Sequence, residues 1–109
     1  MLEPIFGSLN REKVLMYLFC RNEGYAREIS AFFKTNLSQI QKQMERLEEG
    51  GVLYCRNAGR TRLYGLNPRY PFLSELKALL GKTLAFYTQG EKERLTIFRR
   101  RPRRKGKPL

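Results

Sequence analysis

Apolar residues recur along the first seventy positions with helical spacing, then with strand-like runs. From Asn10 to Asn22, Val14, Leu15, Leu18 and Phe19 fall at i, i+1, i+4 and i+5, one stripe of a helix that Asn22-Glu23-Gly24 ends. Tyr25 to Lys34 places Ala26, Ile29, Phe32 and Phe33 on one side, with Glu28 in the first turn, where a carboxylate suits the helix dipole. After Lys34-Thr35, Asn36 is a good N-cap with Gln39 three residues on, a variant of the capping box. Leu37, Ile40, Met44 and Leu47 then make the stripe of a third helix, and Gly50-Gly51 supplies a left-handed stop.

Val52 to Arg56 and Thr61 to Leu66 are rich in β-branched, aromatic and aliphatic residues, and Asn57-Ala58-Gly59-Arg60 between them reads as a turn. A hairpin alone is marginal in water, so it must pack on the preceding helices. Tyr54 and Tyr64 are placed to form a cross-strand pair. After Asn67-Pro68, Pro71 at a helix N1 position opens a segment of about five turns whose stripe is Phe72, Leu73, Leu76, Leu79, Leu80, Leu84 and Tyr87, interrupted by Gly81. Gly81-Lys82-Thr83 has the end of a phosphate-binding loop, but Leu76 stands where that motif needs its first Gly.

The predicted fold is α+β, mainly α: a winged helix-turn-helix of three helices plus a β-hairpin wing over residues 1–70, with a C-terminal dimerisation helix over 71–89. Two short helices joined by a tight connection put the second, residues 36–49, in the recognition position, which lies in a DNA major groove with its N-terminal residues at base edges. Gln39 and Gln41 can each donate and accept, as adenine requires; Asn36 and Ser38 are tolerant polar contacts; Lys42 or Arg46 can meet guanine or phosphate. The wing, residues 56–62, would lay Arg56, Arg60 and Arg62 along the adjacent backbone or minor groove. A polar helix face is by itself usually only a solvated face, so the order of elements carries more weight than the face.

Charge sharpens the picture. The 109 residues carry 22 Lys plus Arg against 10 acidic residues, a net charge of +12. Residues 90–109 contain nine of those cations and two Glu, and the run Arg99-Arg100-Arg101-Pro102-Arg103-Arg104-Lys105 cannot bury apolar surface, so this basic segment is expected to be disordered in isolation. Its Arg content favours contact with a duplex backbone or minor groove. All acidic residues are Glu, and the chain has no Asp, His or Trp. Without His there is no Ser-His or Cys-His nucleophile pair and no imidazole ligand, so an enzyme is not expected, no catalytic residue is assigned, and no cofactor is expected. Cys20 and Cys55 are too far apart in sequence for a metal or redox clip and read as small core fillers; most of the thirteen Phe and Tyr, Phe19, Phe32, Phe33 and Phe72 among them, likewise read as core. No 18-residue apolar stretch and no leader pattern exist, so neither a membrane nor export is expected, and the expected compartment is the cytoplasm.

The stretch Tyr25-Ala26-Arg27-Glu28-Ile29-Ser30, the segment Gln43-Met44-Glu45-Arg46-Leu47-Glu48-Glu49-Gly50-Gly51-Val52-Leu53, and Gly59-Arg60-Thr61-Arg62-Leu63-Tyr64-Gly65-Leu66-Asn67 resemble the winged helix-turn-helix of ArsR-type and MarR-like transcriptional regulators. The resemblance covers roughly residues 5–80. It implies a sequence-specific binder of double-stranded DNA, with contacts from Ser38, Gln39, Gln41 and Lys42 on the helix and from Arg60 and Arg62 on the wing. It also implies a homodimer built largely from the terminal helix, here Phe72, Leu73, Leu76, Leu79, Leu80, Leu84 and Tyr87. Many ArsR-type members sense metals through a Cys-x-Cys pair or through His and Asp clusters; this chain has neither, so no metal is expected. The competing reading is a winged-helix protein-interaction or RNA-associated module whose nucleic-acid affinity comes mainly from the Arg-rich segment.

Overall fold

The computed structural model describes residues 1–97. Six helices and three strands follow in the order α1 (Glu3–Phe6), α2 (Leu9–Arg21), β1 (Glu23–Tyr25), α3 (Ala26–Phe33), α4 (Leu37–Glu49), β2 (Leu53–Ala58), β3 (Thr61–Leu66), α5 (Leu73–Ala85) and α6 (Gln89–Ile97). Among the described residues no helix is long and apolar enough to cross a membrane.

The stripes read from the sequence become the core. Val14, Leu15, Met16 and Leu18 of α2 meet Ile29 of α3 and Ile40, Met44 and Leu47 of α4, all buried. α2 is the central helix, touched by α3, α4, α5 and α6. A polar seam reinforces the α2–α4 contact: the Arg11 guanidinium donates through Nε to Gln43 Oε1 at 2.9 Å and through Nη1 to the Phe6 carbonyl at 3.1 Å.

The connection between α3 and α4 is three residues. Lys34 sits in the left-handed region (φ 54°) and closes α3, the Ser30 hydroxyl donates to the Thr35 carbonyl at 2.6 Å, and Asn36 starts α4. Such a short link fixes the angle between the two helices and presents the N-terminus of α4 outward.

β2 and β3 form the hairpin, and β1 adds to its other edge, giving an antiparallel sheet in the order β1-β3-β2. The third strand is an addition to the expected two. Ala58 pairs with Thr61, so the turn shortens to Gly59-Arg60, with Gly59 at φ +67°, a value that suits the first position of a two-residue hairpin loop. Tyr54 faces Gly65 and Tyr64 faces Cys55, so the expected tyrosine pair does not form; the two rings lie on opposite faces of the sheet. A side chain at position 65 would start 2.6 Å from Tyr54 ring carbons, which is why glycine stands there.

Three further differences follow from packing. Pro71 precedes α5 rather than occupying its first turn, and Gly81 leaves α5 unbroken. Phe72 is 62% exposed and stacks edge-on against Tyr70 instead of entering the core. The segment expected to be disordered from residue 90 begins with α6, which is clasped to the body: Arg21 donates to the carbonyls of Leu95 (3.0 Å) and Arg94 (2.7 Å), Arg94 donates to the Phe32 carbonyl (2.9 Å), and the Leu95 side chain is buried. Both guanidiniums also lie over the Phe32 ring. The rest of that expectation, residues 98–109, lies outside the described residues.

Candidate nucleic-acid interface

The nine residues expected to contact DNA are all exposed, but the structure sorts them into held and free. Asn36 is committed to capping α4. Its Oδ1 accepts the backbone N–H groups of Ser38 (2.9 Å) and Gln39 (3.3 Å) and the Ser38 hydroxyl (2.6 Å), so Ser38 too spends its proton locally. Gln39 Oε1 accepts from Asn10 Nδ2 at 3.2 Å, which ties this amide back to α2. Gln41, Lys42 and Arg46 carry no side-chain hydrogen bond or ion pair among the described residues.

On the wing, two of the three arginines are paired within the fold. Arg62 donates through Nη2 to Glu48 Oε1 at 3.2 Å and through Nε to the Cys55 sulfur at 3.1 Å, which braces β3 against the last turn of α4. Cys55 is thus half-buried and hydrogen-bonded, whereas Cys20 is the core filler expected; neither forms a disulfide. Arg56 bridges to Glu23 of β1 at 3.3 Å. The same carboxylate accepts from the Tyr54 hydroxyl, and burial together with that bond pushes the Tyr54 phenol up to about 12. Strand alternation puts Arg56 on the sheet face opposite Arg62, so the structure separates it from α4. Arg60, at the hairpin tip, is unpaired among the described residues.

Between α4 and the wing lies a groove of ≈ 270 Å³ bordered by Arg27, Gln41, Glu45, Arg60, Arg62 and Tyr64. It brings Gln41 together with Arg60 and Arg62 and adds Arg27, Glu45 and Tyr64, residues not expected at the site from the sequence. Arg27 stands in the first turn of α3, where the dipole disfavours a cation; that misplacement is the sequence signal for it. Glu45, four residues after Gln41, gives no such signal by composition.

The seven positions expected at a dimer interface divide by burial. Leu80 is fully buried in the chain's own core, Leu73, Leu76, Leu79, Leu84 and Tyr87 are half-buried, and Phe72 is exposed. Phe86, outside the expected set, is 67% exposed.

No protein-family model matches the chain, and no curated protein does. Two solved structures share its architecture. A variant of Lactococcus lactis ZitR with one cysteine and one histidine replaced by alanine aligns at TM-score 0.52 and 17% identity over 84% of this chain and 69% of its own. The same variant in its apo form aligns at TM-score 0.55 and 18% identity over 89% of this chain and 82% of its own. The chain has the winged-helix fold, mainly helical with a three-stranded antiparallel sheet. Both neighbours are regulators rather than enzymes.

These neighbours correct one expectation. They are zinc-responsive regulators, so the scaffold is one on which metal binding occurs, and the inference of no metal from the missing His and Asp is overturned. Among the described residues of a single copy no three Cys or Glu side chains converge on one point; that describes one copy and does not restore the expectation.

Proposed function

We propose that the chain is a transcriptional regulator that reads double-stranded DNA, with α4 in the major groove and the wing on the neighbouring backbone. The observation that carries this reading is the combination of unpartnered Gln41, Lys42 and Arg46 on α4 with Arg27 and Arg60 bordering the adjoining groove. Exposed groups without internal partners pay no cost of breaking contacts when they meet phosphate or base edges. Gln41 is the leading base reader, Lys42, Arg46, Arg60 and Arg27 are phosphate contacts, and Arg62 positions the wing. Residues 1–70 form the DNA-binding unit. α5, which leaves Phe72 and Phe86 uncovered, supports a homodimer across residues 71–89, and a two-fold pair would read half-sites about 34 Å apart.

The test is enrichment of bound duplexes from a random pool at 100–200 mM salt. The expected result is a two-fold-related site, with Gln41→Ala lowering affinity for it about tenfold or more while binding to unrelated DNA is unchanged. Binding without sequence preference that disappears when residues 98–109 are removed would overturn the reading in favour of an interaction or RNA-associated module. That second reading draws on the concentration of seven cations in those twelve residues.

A further inference from the structure

Glutamates in this basic chain are mostly occupied. Glu12 accepts from Tyr87, Glu23 from Tyr54 and Arg56, Glu28 from the Tyr25 N–H, and Glu48 from Arg62. Glu45 is different. It is exposed on α4, it borders the groove next to Gln41, Arg27 and Arg60, and among the described residues no hydrogen bond or ion pair engages its carboxylate. A free carboxylate within a Debye length, about 8–10 Å, of where phosphates would run costs affinity for every DNA sequence. A hydrogen-bond donor on a base edge would offset that cost and make it depend on sequence.

Resting on the DNA-reading function above, we propose that Glu45 is a specificity-determining residue that accepts a hydrogen bond from the exocyclic amine of a cytosine. An ionised carboxylate can only accept. Of the four major-groove edges, only cytosine N4 and adenine N6 donate, and adenine sets its N7 acceptor beside N6, where it opposes the second carboxylate oxygen. Cytosine has no acceptor at that place. Glu45 stands one turn beyond Gln41, a rise of about 6 Å, so the two side chains address base pairs one to two steps apart. Arg27 and Arg60 border the same groove and hold the phosphates that would otherwise be repelled.

The experiment uses the full chain and compares selection from a random duplex pool, and affinity for selected and unrelated duplexes, for the wild type, Glu45→Ala and Glu45→Gln. The wild type is expected to select a C·G pair at one fixed position. Glu45→Ala should flatten that position alone, from about tenfold discrimination to within twofold, while raising affinity for unrelated DNA several-fold. Glu45→Gln should raise non-specific affinity equally and move the preferred base to adenine, which glutamine pairs through N6 and N7. Two results overturn the proposal alone: both variants bind all duplexes more tightly by one common factor with preferences unchanged, or preferences vanish at every position. If the wild type itself selects nothing, the functional reading falls with it.

Discussion

At the scale of single residues, the cluster around the buried Glu12 carboxylate joins groups that no local pattern brings together. Glu12 is 2% exposed in the first turn of α2, and its carboxylate gathers the Tyr87 hydroxyl (2.7 Å), the Leu2 N–H (2.9 Å) and the Met1 ammonium (3.1 Å). Burial pushes its pKa up, but these donors outweigh burial and hold the carboxyl below its ordinary 4.5. A depressed carboxyl contributes stability that is fully present above about 4.5 and lost as pH falls through the lower folded value. Glu12→Gln should therefore cost about 1–3 kcal/mol at pH 7, and the gap in Tm between wild type and variant should narrow on acidification below pH 4; a gap that stays constant would remove the charge from the account. Sequence reading misses this residue because its main partner, Tyr87, is 75 positions away. The same limit hides Glu23 and Glu48, which convert Arg56 and Arg62 from free cations into braces. By contrast Asn36 is legible, since a cap is a local device whose partners are two and three residues on.

At the scale of elements, what carries its own signal is found and what depends on its neighbours is not. α2, α3, α4 and α5 each show an apolar stripe, and β2 and β3 a run of strand formers, so all six are placed to within a few residues. β1 is three residues long and exists because Glu23, Gly24 and Tyr25 pair with β3. α6 has no stripe; among its described side chains it is held by Leu95 and by the Arg21 and Arg94 contacts. α5 offers a direct test of propensity against packing. Gly81 lies inside it, and a Cβ there would meet the Phe19 ring at 3.5 Å, an ordinary contact. Gly81→Ala should raise stability by about 1 kcal/mol in chemical denaturation, with no change in the slope of free energy against denaturant. Destabilisation would mean that the Phe19 ring cannot give way and that close approach, not tolerance, accounts for the glycine.

At the scale of the whole molecule, the described body and the remaining residues divide the charge unequally. α6 and its neighbours, residues 90–97, hold two Glu against Lys92 and Arg94 and are neutral, so the +7 read over residues 90–109 falls entirely on residues 98–109. This moves the boundary at which the two roles of the C-terminal region can be separated. A cut after Gln89 removes the basic run together with Leu95 and Arg94, so lost DNA binding could reflect a lost fold. A cut after Ile97 leaves α6 in place. The shorter chain, 1–89, is expected to unfold about 2–5 kcal/mol more easily, the usual cost of emptying a buried leucine site, whereas 1–97 should melt with the full chain. For DNA, seven cations releasing about 0.9 counterion each bound the change at about 6 units in the slope of log affinity against log salt. Chain 1–97 should lose several units of that slope and keep its selected site, since the proposed function assigns base reading to α4 and leaves residues 98–109 an electrostatic contribution alone. An unchanged slope would take those residues off the DNA, and loss of the selected site at an unchanged Tm would make them part of the reading surface itself.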